Sequence, residues 1–190
     1  MNFFAKNKEE NLSRRLRNGD SHAMREFYAL YGTYLTAVCL RYVPDEEDMR
    51  DIIQDSMIQI ITHISAFTYR GEGSLRAWAT KIVVSQSLRF LREKKQHEWL
   101  LVHDVELPDV QEEEDPPING IPPDVIHRLV TELPTGYRTV FNLYVFEGMS
   151  HQEIAQLLGI KPDTSASQLC RAKNLLAKKI KQYQKLQKQL

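Results

Sequence analysis

The amino-acid sequence predicts an all-α protein made of two small helical domains joined by an acidic, proline-containing linker. Three observations carry that expectation. Apolar residues recur at three- and four-residue steps in both halves of the chain. No segment alternates apolar and polar residues as a half-buried strand would, and no internal repeat of roughly 20 to 50 residues is visible. Charge, finally, is segregated by position. The chain has 190 residues, 42% of them hydrophobic, with 25 Lys+Arg against 25 Asp+Glu. That is enough for one ordinary domain or two small ones, and too apolar for a disordered chain. A net charge of zero on its own argues against a nucleic-acid binder. The sum hides a pattern, however: 15 basic and 12 acidic residues in 1–95, none and 8 in 96–121, and 10 and 5 in 122–190. The parts carry +3, −8 and +5.

In the first unit, Phe27, Leu30, Tyr31, Tyr34, Leu35 and Val38 follow a helical period, and Ile53, Met57, Ile60, Ile61 and Ile64 do so again after a Pro44-Asp45 break. The glycine-bearing loop Tyr69 to Ser74 precedes a further helix over Leu75 to Glu93, which carries Trp78, Ile82, Leu88, Phe90 and Leu91. From about Gln96 to Pro123 an acidic run is interspersed with Pro108, Pro116, Pro117, Pro122 and Pro123. Mutually repelling carboxylates and fixed proline φ angles keep such a segment extended. The second unit is expected to form helices over Val125 to Leu133, Tyr137 to Phe146, Gln152 to Leu158 and Ser165 to about Tyr183. The domains are therefore expected at 1–95 and 122–190, with the linker at 96–121.

The second unit contains a helix-turn-helix signal. Ser150 and Glu153 have the spacing of a capping box, Gly159 suits the left-handed residue that ends a helix, and Pro162-Asp163-Thr164 opens the next one. Projected at about 100° per residue, Leu169, Ala172, Leu176 and Ile180 form a buried stripe. Thr164, Ser167, Arg171, Asn174 and Lys178 point the other way. Such a stripe is either a solvated amphipathic face or a surface for base edges and phosphates in a major groove. The capped helix, glycine turn and second helix together favour DNA. The basic tail adds less, because cations also suit a helix C-terminus.

In the first unit, Asp48, Asp51 and Asp55 share one helix face behind an acidic start at Asp45 to Glu47. They either favour the helix N-terminus or form a docking surface for a basic partner. The helix over Leu75 to Glu93 mixes aromatic residues with Arg76, Lys81, Arg89 and Arg92. Aromatic faces that stack on unpaired bases, beside cations that hold phosphates, serve single-strand recognition. Trp78 taken alone equally suits the core.

With these pieces in order the chain resembles the small two-domain extracytoplasmic-function (ECF) group of sigma-70 initiation factors. Asp51-Ile52-Ile53-Gln54-Asp55, preceded by Arg41-Tyr42 and Asp48, resembles region 2.2. Arg70 to Trp78 resembles the entry to regions 2.3 and 2.4, Leu133-Pro134 with Tyr137-Arg138-Val140-Phe141 resembles region 4.1, and Glu147 to Lys173 resembles region 4.2. The resemblance implies that Asp48, Asp51, Gln54 and Asp55 dock on the clamp helices of the RNA polymerase β′ subunit. It implies that Arg70, Trp78, Lys81, Ser85, Gln86 and Arg89 hold the melted −10 strand, and that Thr164, Ser167, Gln168, Cys170 and Arg171, with Asn174 and Lys178 beside them, read the −35 duplex. Core polymerase, including its β flap, promoter DNA and an anti-sigma protein are the implied partners. The linker would imitate nucleic-acid charge in the polymerase channel, or serve only as a tether. Ala166 and Ser85 stand where many relatives carry a basic residue and an asparagine.

Other classes fit less well. Cys39 and Cys170 lie far apart and form no C-x-x-C pair, so neither a disulfide framework nor a thiolate zinc site is indicated, and a reducing cytosol fits best. The six histidines are scattered, and there is no P-loop and no G-x-S-x-G, so neither catalysis, a metal nor a cofactor is expected. No stretch approaches the ~18 apolar residues of a membrane span, and the N-terminus lacks a signal-peptide core. A cytoplasmic protein is expected. The alternative is a dimeric helix-turn-helix regulator with an N-terminal sensing bundle, which predicts tight duplex binding at two half-sites without polymerase. A purely protein-binding adaptor would leave the polar stripe unexplained.

Overall fold

A computed structural model of the chain describes residues 3–94, 116 and 120–187. Among these the regular structure is helical throughout: α1 (Phe3–Arg17), α2 (Ser21–Tyr42), α3 (Glu46–His63), a 3-10 turn (Ile64–Ala66), α4 (Ser74–Lys94), α5 (Pro123–Thr131), α6 (Thr135–Val145), α7 (His151–Leu158) and α8 (Pro162–Gln187). The chain divides into two compact units, Met1–Lys94 and Lys95–Leu190. Most of the expected acidic linker lies outside the described residues.

In the first unit, α4 packs on α2 and α3, and α1 packs on α2 and the 3-10 turn. Asp20 starts α2 by accepting the His22 N–H at 2.8 Å. Asp45 starts α3 by accepting the Glu47 and Asp48 N–H groups at 3.1 and 3.0 Å. The hydrogen bond from Asp48 is the main reason the Asp45 carboxyl is held below its usual range, and it caps donors that the helix itself leaves unpaired. Phe27, Leu35, Val38, Ile52, Ile60, Leu75, Val83 and Leu88 form the core, each burial contributing about 1.5–3 kcal/mol before entropy is counted. The apolar period of α2 is real, but Leu30 and Tyr34 are 59% and 43% exposed. The packed face is narrower than the apolar one.

The sequence reading has no counterpart for α1. Its buried positions Glu9, Leu12, Ser13 and Leu16 follow the helical i, i+3, i+4, i+7 spacing, but two of the four are polar. A hydrophobic pattern search passes over such a helix.

Small residues let α2 and α4 approach closely at Cys39 and Ser87, both fully buried, whose side chains lie 3.5 Å apart. Burial pushes the Cys39 thiol up to about 11, whereas Cys170 is exposed. A thiol reagent at pH 8 is therefore expected to modify one cysteine per native chain and two after denaturation, because only the thiolate reacts. Two rapid equivalents from the native protein would contradict this packing.

In the second unit, α6 is the central element, buried from Gly136 to Leu143. Arg138 donates from Nη1 to the Thr131 and Leu133 carbonyls at 2.8 and 2.9 Å, fixing the turn after α5, and its burial lowers the guanidinium to about 10. α5, α6 and α7 all pack on α8, with Val125, Leu129 and Ile180 forming one cluster joined by Leu176 and Tyr183.

Candidate nucleic-acid interface

The first part of the site is the loop leading into α4. Phe67 is 5% exposed, and its ring lies 5.4 Å from that of Trp78 at an interplanar angle of 48°. Together with Ala66, Thr68, Arg70, Ser74, Ala77 and Lys81 they line a cavity of about 370 Å³. Trp78 is half-buried, so it serves both the core and an open surface. Ser74 shapes the loop by donating from Oγ to the Gly71 carbonyl at 2.6 Å and accepting the Arg70 N–H at 3.3 Å. Arg70, Lys81, Ser85 and Arg89 are exposed and Gln86 is half-buried. Trp78, Lys81, Ser85 and Arg89 follow i, i+3, i+7, i+11 spacing and therefore share one face of α4. Arg89 already donates from Nε to Glu93 at 2.7 Å, which raises its guanidinium.

The second part lies on α3. Asp51, Gln54 and Asp55 are exposed, whereas Asp48 is half-buried and forms an ion pair with Lys94 at the end of α4. The sequence reading missed an apolar strip beside this row. Tyr28, Ile58 and Ile61 are 57%, 53% and 39% exposed. Together with Met57 they border a groove of about 590 Å³ that Gln54 also lines. Such a strip is hard to find from sequence, because Ile61 also fits the core period of α3 while Tyr28 and Ile58 fall outside the periods of their helices and read as isolated surface residues.

The third part is the helix-turn-helix. Ser150 Oγ accepts the Glu153 N–H at 3.3 Å while Glu153 Oε2 accepts the Ser150 N–H at 2.8 Å, completing the capping box. Those hydrogen bonds hold the Glu153 carboxyl below its usual range. Gly159 ends α7 at φ 69°, a conformation that a Cβ would strain. His151 at the start of α7 approaches Ser165 Oγ at 3.0 Å from Nδ1 and stacks on Tyr144 at 4.8 Å, tying α6, α7 and α8 together.

On α8, Ser167, Cys170 and Lys178 are exposed, while Thr164 and Arg171 are half-buried. Two expected readers of the duplex require correction: Gln168 is 5% and Asn174 7% exposed, and Asn174 donates to Cys170 Sγ at 3.6 Å. The projection misplaces Asn174 because three helices pack on α8 and bury a wider arc than one stripe, whereas Gln168 lies off the projected stripe and is pointed to by the family resemblance alone. Lys173, absent from the projected stripe, is exposed.

Comparison with known proteins places these parts in one family. Residues 27–97 match the family model for sigma-70 region 2, and residues 124–176 match that for sigma-70, region 4. The two matches follow the family's order and together span more than half of the chain. The chain belongs to the sigma-70 family, in its ECF group. It is 27% identical over 182 residues to the ECF RNA polymerase sigma-E factor of Haemophilus influenzae, covering 90% of this chain and 95% of that one. It is also 27% identical over 135 residues to the RNA polymerase sigma factor SigV of Bacillus subtilis, covering 71% and 77%. A solved structure of CnrH in complex with the cytosolic domain of CnrY aligns at 21% identity and a TM-score of 0.47, covering 90% of this chain and 95% of that one.

This sigma factor is a non-catalytic specificity subunit: it binds core RNA polymerase and directs promoter-specific initiation of transcription. The match of the N-terminal unit to region 2 removes the alternative of a regulator whose bundle senses a ligand. Among the described residues, no helix of the sigma factor is long and apolar enough to cross a membrane.

Proposed function

We propose that residues 1–95 dock on polymerase and capture the melted −10 strand, that residues 122–190 read the −35 duplex, and that residues 96–121 thread between them through the polymerase channel. The observation that carries the strand role is the cavity of about 370 Å³ walled by Phe67 and Trp78, with exposed Arg70 and Lys81 at its rim. Its size lies within the roughly 300–1,000 Å³ of small-ligand sites. A flipped base would stack on the indole while the cations neutralise flanking phosphates. Ser85, Gln86 and Arg89 would continue the strand path along α4.

The duplex role falls to Thr164, Ser167, Cys170, Arg171 and Lys178. Asp51, Gln54 and Asp55, with the apolar groove beside them, support docking on the β′ clamp helices: the groove supplies burial and the carboxylates supply register. The exposed Tyr144, Val145 and Phe146 at the end of α6 support a contact with the β flap. The eight acidic residues of 96–121 support charge mimicry in the channel. An anti-sigma protein covering the polymerase-facing groove completes the reading, with action in the cytoplasm where polymerase works.

A run-off assay with core polymerase and a promoter library tests the assignment. Transcripts are expected from a small promoter class only when both proteins are present, with negligible promoter binding by the isolated chain. Tight binding of two half-sites without polymerase would overturn the assignment of roles.

A further inference from the structure

Glu9 lies outside the matched region 2 segment and is 7% exposed. A buried carboxylate requires partners, and those of Glu9 come from far along the chain. Its oxygens accept the backbone N–H groups of Gly73, Leu75 and Arg76 at 2.6, 2.9 and 3.3 Å, and the Tyr31 hydroxyl donates to it at 3.4 Å. Leu75 and Arg76 belong to the first turn of α4, whose N–H groups have no acceptor within the helix. An ordinary helix start satisfies them with the side chain of the preceding residue. Here that residue is Gly73, at φ 85°, which has no side chain to offer. Glu9 supplies the cap instead.

α1 also holds the other end of the same loop. Arg17 donates from Nη2 to the Phe67 carbonyl at 3.1 Å. The segment between these two ties carries Thr68 and Arg70, and Phe67 and Ser74 bound it; all four line the cavity beside Trp78. We propose that Glu9 and Arg17 are positioning residues for strand capture, with α1 clasping both ends of the loop that shapes the base site. The inference rests on the reading of that cavity as the base site.

The full chain assembled with core polymerase tests it. Three quantities are measured: core affinity, affinity of the holoenzyme for a single-stranded −10 oligonucleotide from a promoter recovered by run-off transcription, and thermal unfolding. In Glu9→Gln, one acceptor becomes an N–H₂ facing backbone donors. Strand affinity is expected to fall about tenfold, the scale of losing hydrogen bonds to a charged group. Core affinity stays within about twofold, since α3 is untouched. Glu9→Asp keeps the carboxylate and should restore part of the loss. Arg17→Met should weaken capture about threefold. A folded Glu9→Gln protein that captures the strand like the unaltered chain overturns the proposal, as does an equal loss of core and strand affinity. If Glu9→Gln does not fold, Arg17→Met decides, and unchanged capture overturns the proposal. Trp78→Ala measured alongside separates the two readings. If it weakens capture while the α1 variants do not, the clasp alone fails; if it does not weaken capture, the base site fails and the clasp with it.

Discussion

Trp78→Ala is expected to abolish most open-complex formation while leaving the holoenzyme assembled. The indole lines the cavity and packs against the Phe67 ring, and loss of a base-stacking aromatic costs about 1–3 kcal/mol, or roughly fivefold to more than a hundredfold in strand occupancy. The half-buried indole also contributes to packing, so a modest fall in melting temperature is expected, well short of unfolding at 25 °C. Permanganate reactivity of the −10 thymines reads melting, and pull-down with core reads assembly. Equal loss of both would show that Trp78 acts as core. A premelted promoter should restore activity only in part, because the captured base has still lost its wall.

The double variant Asp51→Lys with Asp55→Lys should do the reverse. Both carboxylates are exposed on α3, and neither caps the helix. Stability should therefore change by no more than about 0.5 kcal/mol per site. Core affinity should fall at least about a hundredfold, because reversed charges set like against like across a complementary interface. Asp124→Lys, a reversal at an exposed site on α5 in the other unit, should leave core affinity within about twofold. An Asp51/Asp55 variant that binds core normally would detach the acidic row from docking.

These two experiments fall on residues of unequal legibility. Asp51 and Asp55 stand out in the sequence, with Asp48, because an acidic row on one helix face is a local pattern, whereas Gln54 is pointed to by the family resemblance alone. Trp78 is conspicuous too, but a tryptophan at helical spacing equally fits a core; the cavity beside it, which supports the strand reading, is not visible in the sequence. The apolar strip of Tyr28, Ile58 and Ile61 was illegible for a related reason. Apolar period identifies which residues lie on a face, but not where the partner helix stops covering it.

The positions of α2 to α8, the capping box at Ser150 and the glycine stop at Gly159 follow from the sequence itself, because each depends on periodicity or on groups within about one helical turn. Tertiary structure alone decided three other matters. It closed Gln168 and Asn174 off from solvent, since the buried arc of α8 depends on how many helices pack against it. It revealed α1, whose packed face is half polar and becomes favourable only once distant donors satisfy Glu9. It also placed that carboxylate on the start of α4, more than 60 residues along the chain. A hydrogen bond across that separation leaves no periodicity for a sequence to display.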